Sequence, residues 1–349
     1  MIGVYVHLPF CLRKCPYCAF YSVSNAEDKF IPYVQRLEKE ALQYDGGPVD
    51  SIYFGGGTPT ALPAEVLSSL LQNLLSRFPC KGEITLEANP ATISLSSIAI
   101  LRKAGFNRIS IGVQSLIDKE LSLLGRLHSA DDAIKAVTDA EKAGFTNISA
   151  DVMFGLPGQK PADVSETVKK LTELPISHIS TYSLSIEDGT PFSKRSLTLP
   201  EEDVEREMYY TICSLLTDAG FNHYEISNFA KPGMEAVHNT NYWLCGEYVG
   251  LGAGAHGFLH GIRYENISDL DLYISASDAV YQKTVMTDRD RFEERYMLGL
   301  RLLGGIPDDG NPHIPRLIQE GLLERSGENV RLTKRGIDIA NYVITELVS

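Results

Sequence analysis

The sequence predicts an α/β protein, a parallel β/α barrel, complete or partial, followed by a smaller, mostly helical region. Three observations carry that expectation. Short runs rich in β-branched and aromatic residues alternate with longer stretches of helical periodicity, the pattern of βαβ units around a parallel sheet. A phrase recurs: Lys103-Ala-Gly-Phe-Asn-Arg-Ile-Ser110, Lys142-Ala-Gly-Phe-Thr-Asn-Ile-Ser149, and Asp218-Ala-Gly-Phe-Asn-His-Tyr-Glu-Ile-Ser227. Each copy reads as a helix end, a glycine in the left-handed cap, then a strand. The rhythm changes after about Tyr224, which divides the chain into an expected barrel over 1–225 and a second region over 226–349. A doubly wound open sheet fits the same alternation.

The expected strands are 3–8, 51–54, 83–87, 108–113, 147–153 and 178–184; the expected helices are 29–43, 64–78, 94–103, 130–142, 162–174 and 201–218. Residues 228–262, rich in Gly, Asn and aromatics, read as an ordered loop region, and 288–349 as a compact helical unit. Within that unit, 317–336 reads as helix, strand, glycine turn, strand and helix start, which resembles a winged helix. Its charge is mixed and forms no basic stripe, so a structural lid is expected rather than a DNA reader.

The net charge of −13 argues against broad nucleic-acid binding, which needs a basic surface. No apolar run approaches the roughly 18 residues of a membrane-spanning helix. The N-terminus reads as a strand and carries no export signal, so the cytoplasm is the expected location. Six cysteines are too few for a disulfide scaffold, and three of them fall within eight positions, which favours metal or redox chemistry.

Those three are Cys11, Cys15 and Cys18, in CX3CX2C spacing directly after the first strand. Thiolates ligate iron–sulfur clusters, and three of them leave one iron of a cubane open to a substrate or cofactor. Spacing alone leaves two other readings: a zinc site completed by a histidine such as His7, and a dithiol formed by Cys15 and Cys18. Cys80, Cys213 and Cys245 stand alone and read as small buried hydrophobes.

CX3CX2C followed two residues on by the aromatic Phe20 resembles the radical S-adenosylmethionine (SAM) superfamily. The resemblance implies a six-stranded partial barrel, a [4Fe–4S] cluster on Cys11, Cys15 and Cys18, and SAM chelated to the open iron. It implies that Gly56, Gly57 and Thr58 of Ser51-Ile-Tyr-Phe-Gly-Gly-Gly-Thr-Pro59 meet the methionine end of SAM. It further implies SAM contacts at Tyr5, Glu87, Gln114, Arg126 and Asp151. There Arg126 would pair with the methionine carboxylate, and the acidic groups would accept hydrogen bonds from its amine or the ribose. Oxygen sensitivity is implied too, as is an electron donor such as flavodoxin or ferredoxin.

The resemblance covers nearly the whole chain. Tyr224-Glu-Ile-Ser-Asn-Phe-Ala230, His238-Asn-Thr-Asn-Tyr-Trp243 and Gly250-Leu-Gly-Ala-Gly-Ala-His-Gly257 are similar to the C-terminal part of the HemW group, described as heme chaperones. That group is related to HemN, the oxygen-independent coproporphyrinogen III oxidase. The oxidase carries a further cysteine where this chain has Phe20, begins with a long extension, and lacks the His-Asn-X-X-Tyr-Trp phrase. The expected function is therefore binding of heme and its delivery to an acceptor protein, with room for a homodimer. Oxidation of coproporphyrinogen III and a radical reaction on another substrate are the alternatives, and no catalytic residue is assigned. His238 is the candidate heme ligand, with Tyr242 and Trp243 packing on the ring and His256 as second candidate. The plainer alternative is that His238 and Asn239 hold a loop by hydrogen bonds and Trp243 is core.

Overall fold

A computed structural model describes all residues, 1–349. Six parallel strands run in sequence order: β1 (Ile2–Leu8), β2 (Val49–Gly56), β3 (Cys80–Ala88), β4 (Arg108–Gln114), β5 (Asn147–Phe154) and β6 (His178–Ser183). Helices α1 (Phe30–Ala41), α2 (Ala64–Arg77), α3 (Leu95–Ala104), α4 (Asp118–Leu123), α5 (Ala130–Lys142), α6 (Pro161–Thr172) and α7 (Glu202–Asp218) connect or follow them. This is the predicted parallel β/α architecture, and it excludes the alternation of helix layers a doubly wound sheet would need at a reversal in strand order among these six. The short α4 escapes the sequence reading because six residues give less than two turns of periodicity.

The recurring phrase does what it predicts. Gly105, Gly144 and Gly220 follow the ends of α3, α5 and α7 with φ of 122°, 94° and 80°. Each takes the chain out of the helix and toward its next strand in a region that a side chain disfavours.

The strands alternate strictly, and this decides what the molecule can do. Val4, Val6, Leu8, Ile52, Phe54, Ile84, Leu86, Ile109, Ile111, Ile148 and Ala150 point outward and are buried in one core with Leu37, Leu67, Leu70 and Leu71 of the helices. Their neighbours Tyr5, Ser51, Tyr53, Glu83, Thr85, Glu87, Arg108, Ser110, Ser149, Asp151, His178 and Ser180 face the lumen. A strand of a closed parallel barrel normally reads as a nearly continuous apolar run. Here the lumen is polar, which is the composition of a site rather than of a second core.

The sheet extends past both edges of the six strands to twelve. Beyond β6, β8 (Asn228–Ala230) and β7 (Asn222–Glu225) add antiparallel. Beyond β1, β9 (Glu247–Leu251) adds parallel, then β10 (His256–Leu259), β11 (Ile262–Asn266) and β12 (Val280–Val285) add antiparallel. The ordered loop expected over 228–262 therefore contains β8, β9 and β10 joined by short connections, with α8 (Val237–Trp243) between β8 and β9. Strands of three to five residues, some carrying glycine, show too little alternation to be read in sequence. Glu40 locks this edge to α1: wholly buried, it accepts from Asn266 Nδ2 at 2.6 Å, from the amide of Gly252 at 3.0 Å and from the hydroxyl of Tyr273.

The chain ends in a small unit with its own core of Tyr296, Leu300, Leu317, Val330 and Val343. Following α9 (Leu270–Ser275), it comprises α10 (Asp288–Gly299), β13 (Ile306–Pro307), α11 (Ile314–Gln319), β14 (Leu323–Ser326), β15 (Asn329–Leu332), α12 (Lys334–Asp338) and α13 (Ala340–Val348). The helix–strand–turn–strand–helix order over 317–336 is as predicted. No helix of the molecule is long and apolar enough to cross a membrane.

Candidate functional site

The loop after β1 carries the three cysteines, all half-buried and none in a disulfide. Its base is clamped: the Cys11 amide donates to Val23 O at 2.9 Å and the Val23 amide to Pro9 O at 2.6 Å. Cys15 and Cys18 share a turn, closed by the Cys18 amide on Cys15 O at 3.1 Å. Phe192 reaches in from beyond β6, its amide 2.9 Å from Pro16 O. Burial pushes the thiols of Cys11 and Cys18 up, and a thiolate on Cys15 would raise both further. Thiolates so close together call for a cation among them.

The donor set fits an iron–sulfur cubane. A zinc ion would want four ligands around one point, but both nitrogens of His7 are engaged, Nδ1 with Tyr5 Oη at 2.9 Å and Nε2 with Tyr21 O at 3.1 Å. Burial also lowers its pKa to about 4. The dithiol reading leaves Cys11 unexplained, whereas a cubane takes three thiolates spread around a wider body. Thr58 Oγ1 and Arg126 Nη1 each lie 3.6 Å from a cysteine sulfur, of Cys11 and Cys15 respectively. Polar hydrogens so placed would stabilise thiolates.

Arg126 is the cation of this site. It follows α4, and its Nη2 donates to Gly112 O at 2.7 Å. It forms no ion pair with a carboxylate of the protein, and its Nε is buried without an acceptor. A guanidinium in that state fits an anionic group supplied from outside. Gln114, the last residue of β4, has φ of 67°, a strained setting for a non-glycine residue. Its amide group lies near Arg126, since both side chains come within about 3.1 Å of where a Cβ on Gly112 would sit.

Glu87 and Asp151 are half-buried in the lumen. Glu87 accepts from Tyr53 Oη at 2.7 Å, and Asp151 from Ser110 Oγ at 3.0 Å. Burial raises both pKa values, and the two carboxylates repel each other; that of Glu87 rises to about 7 despite the Tyr53 hydrogen bond. Tyr5 lies beside this pair, its ring 6.2 Å from that of Tyr53. Tyr53, Ser110 and Tyr17 belong to the site without a motif that marks them: the first two alternate onto the same face as the assigned residues, and the hydroxyl of Tyr17 accepts from Arg126 Nη1 at 3.5 Å.

The glycine run has a local explanation. A Cβ on Gly56 would sit 2.5 Å from the His7 ring, and one on Gly57 would sit 2.7 Å from Phe10 O. The amides of Gly57 and Thr58 donate to Leu8 O and Phe10 O at 2.9 and 2.7 Å. These groups seat the cysteine loop on β2. Gly57→Ala is therefore expected to displace that loop: iron retained after anaerobic purification should fall by more than half, with a melting temperature several degrees lower. Unchanged iron content would show that the loop tolerates the shift.

His238 lies at the other end of the lumen. It is 1% exposed, with Nδ1 2.8 Å from Ser51 Oγ and Nε2 2.8 Å from Tyr242 Oη. Its ring stacks on Tyr53 at 5.1 Å. Neither nitrogen is available to an iron atom, so the expectation of a heme ligand here is corrected: His238 fastens α8 to β2. Trp243 is not core. With Tyr242, Tyr248, Phe258, Cys245 and Arg263 it lines a cavity of about 270 Å³ between α8, the β9–β11 ribbon and α10.

A parallel partial barrel whose first strand feeds three free cysteines, with a polar lumen at the ends of the strands, defines a radical SAM protein. The family description "Radical SAM superfamily" matches residues 5–171. Along its length the chain is 35% identical to "Heme chaperone HemW" of Lactococcus lactis, covering 99% of this chain and 97% of that protein. It is 36% identical to the protein of that name from Bacillus subtilis, covering 98% of each, and 39% identical to that of Escherichia coli, covering 73% of this chain and 70% of the relative. The chain belongs to the HemW family. In fold it is similar to the Escherichia coli coproporphyrinogen III oxidase HemN, with a TM-score of 0.86, 22% identity, and 100% of this chain and 90% of that one covered.

Proposed function

We infer that this protein carries heme and delivers it to acceptor proteins, with a [4Fe–4S] cluster on Cys11, Cys15 and Cys18 and SAM beside it. The observation that carries the reading is the full-length similarity to proteins named heme chaperones. The cavity of about 270 Å³ supports it, being concave and lined mostly by aromatic and other apolar side chains. Phe20 is 72% exposed beside Cys18, where it offers the cluster loop an apolar surface instead of a further thiol.

When bound, the cluster and SAM supply one-electron chemistry. The chain's own residues hold and orient. Arg126 offers its unpaired Nε hydrogen to the methionine carboxylate. Gln114, Tyr5 and Asp151 line the lumen above it, and Glu87 accepts a hydrogen bond in its ionised form. Since the Glu87 pKa lies at about 7, SAM is expected to bind more tightly as pH rises. The dissociation constant should fall roughly tenfold from pH 6 to 8, the range over which the carboxyl ionises. Titration calorimetry of the anaerobically reconstituted protein measures this; the pH step should vanish in Glu87→Gln and move to higher pH in Tyr53→Phe. A step that survives Glu87→Gln would assign it to another group.

The second reading, radical chemistry on a small substrate, is favoured by that half-buried polar set. One assay separates the two: reconstituted protein, SAM, reductant and coproporphyrinogen III, followed by mass spectrometry. No decarboxylated product, together with stoichiometric heme binding, is the expected result. Decarboxylated porphyrinogen would overturn the chaperone reading. 5′-Deoxyadenosine without it would indicate another substrate.

A further inference from the structure

The C-terminal unit, residues 288–349, is tied to the barrel by one covalent link, residues 286–287 between β12 and α10. Its hydrophobic core is its own. No apolar side chain of the unit belongs to the barrel's core, and Ile226 is the one residue from outside that packs against the core of the unit. Two bodies joined without a large apolar interface move relative to each other by default.

What holds the unit in place is polar and falls at three places. Arg263 of β11 grips Glu294 of α10 with both Nη atoms, at 2.6 and 3.1 Å. Arg301, just past α10, reaches the buried Glu225 at 3.3 Å and Ser227 Oγ at 3.1 Å, and its guanidinium lies 4.5 Å from the ring centre of Trp243. Beside it the Ile226 amide donates to Arg301 O and the Leu303 amide to Tyr224 O, both at 3.0 Å. At the far side of the unit the Tyr210 hydroxyl of α7 donates to Asp338 at 2.7 Å and to Lys334 O at 3.1 Å, with Arg206 Nε 3.7 Å from Asp338. Each such contact contributes little alone, and the charged ones weaken in salt.

The aromatic cavity lies across this seam. Trp243 and Phe258 line it from the barrel side, Glu294 and Leu298 of α10 from the other. We propose that residues 288–349 undock from the barrel as one folded body, turning about the 286–287 link, and that this motion opens the cavity. Undocking breaks no covalent bond and leaves both cores packed. It lifts Arg301 off the indole of Trp243 and parts the walls that α10 and the barrel share. The inference holds for any guest of the cavity and so stands apart from the carrier reading.

The test is amide hydrogen exchange of the full-length reconstituted protein, read by mass spectrometry, beside acrylamide quenching of Trp243, the chain's single tryptophan. Peptides holding Ile226 and Leu303 should exchange together, and faster than those of β3 in the barrel or β15 in the unit. Asp338→Ala removes a contact at neither amide, yet it should speed exchange at both about threefold, as should Tyr210→Phe from the barrel side. With Glu294→Gln added to Asp338→Ala, quenching of Trp243 should rise and its emission shift to the red. Acceleration confined to the α7–α12 contact would overturn the proposal, because the three places would then open one by one. Equal acceleration in β3 would overturn it too, since the two cores would be opening together. Unchanged quenching of Trp243 in the double variant would show that the motion leaves the cavity closed. No porphyrin enters the experiment, so each outcome bears on the unit alone.

Discussion

Replacing any one of Cys11, Cys15 or Cys18 with serine is expected to empty the iron site. A serine hydroxyl is a poor iron ligand at neutral pH, and two thiolates do not retain a cubane that three hold with one iron open. Anaerobically reconstituted protein should fall from about four irons and four sulfides per chain to near zero, with loss of the broad visible charge-transfer band. Serine at Cys80, Cys213 or Cys245 should leave both unchanged, because these cysteines lie apart from the loop. The fold should persist in each of these variants. Its core lies on the outer face of the strands, and the loop base is held by backbone bonds of Val23, Leu8 and Phe10. Far-ultraviolet circular dichroism alongside iron analysis separates the two effects. Bound zinc in stoichiometric amount, with no iron, would favour the single-ion reading instead.

Much of this arrangement is legible in sequence because it is local. The cysteine spacing, the glycine run and the alternation of β1 to β6 all lie within short windows, and each strand is long enough to show its period. The glycines are a partial exception. Their presence is plain, but the neighbour that forbids a side chain, His7 for Gly56 and the Phe10 carbonyl for Gly57, comes from another segment. What sequence hides is the joining of distant segments. Nothing around Glu247 says that it lies against β1, and nothing around His238 says that its nitrogens are taken by Ser51, 187 residues earlier, and by Tyr242. A histidine in a polar, aromatic phrase reads as a free ligand until the partners are in view. Likewise His256 reads as one residue of a glycine-rich loop, and its place on β10 opposite Glu265 shows only in the hairpin register.

The polar lumen that makes a site also makes an acid-sensitive protein. Burial depresses the pKa of His7 and His128 to about 4 and of His238 to about 3, and lowers that of His178 as well. Such groups are neutral in the fold and take up protons in the unfolded chain below its ordinary value near 6.5, so they cost stability as pH falls from there. Burial raises the carboxyls of Glu40, Glu87, Asp151 and Glu225. These bind protons in the fold before they do in the unfolded chain, and so they add stability as pH falls toward about 4.5. Between pH 6.5 and 4.5 the two sets oppose each other. Below about 4.5 the carboxyl gain is complete, while the histidine loss continues until the folded values are passed. The protein is therefore expected to lose stability more steeply below about pH 4.5, where the histidine loss is unopposed, than between pH 6.5 and 4.5. Urea midpoints across this range measure the curve. His238 alone accounts for on the order of 4 kcal/mol between pH 6.5 and 3, at about 1.4 kcal/mol for each pKa unit. His238→Gln keeps a side chain able to hydrogen-bond Ser51 or Tyr242 but takes up no proton. Its midpoint at pH 7 should be lower than that of the wild type, since the fit is poorer, yet its descent below pH 5 should be shallower. Parallel curves for the two proteins would mean that His238 is not held neutral, and the buried stack on Tyr53 would then need a counter-charge that Glu83, accepting from the amide of His238 at 3.1 Å, is the nearest group to supply.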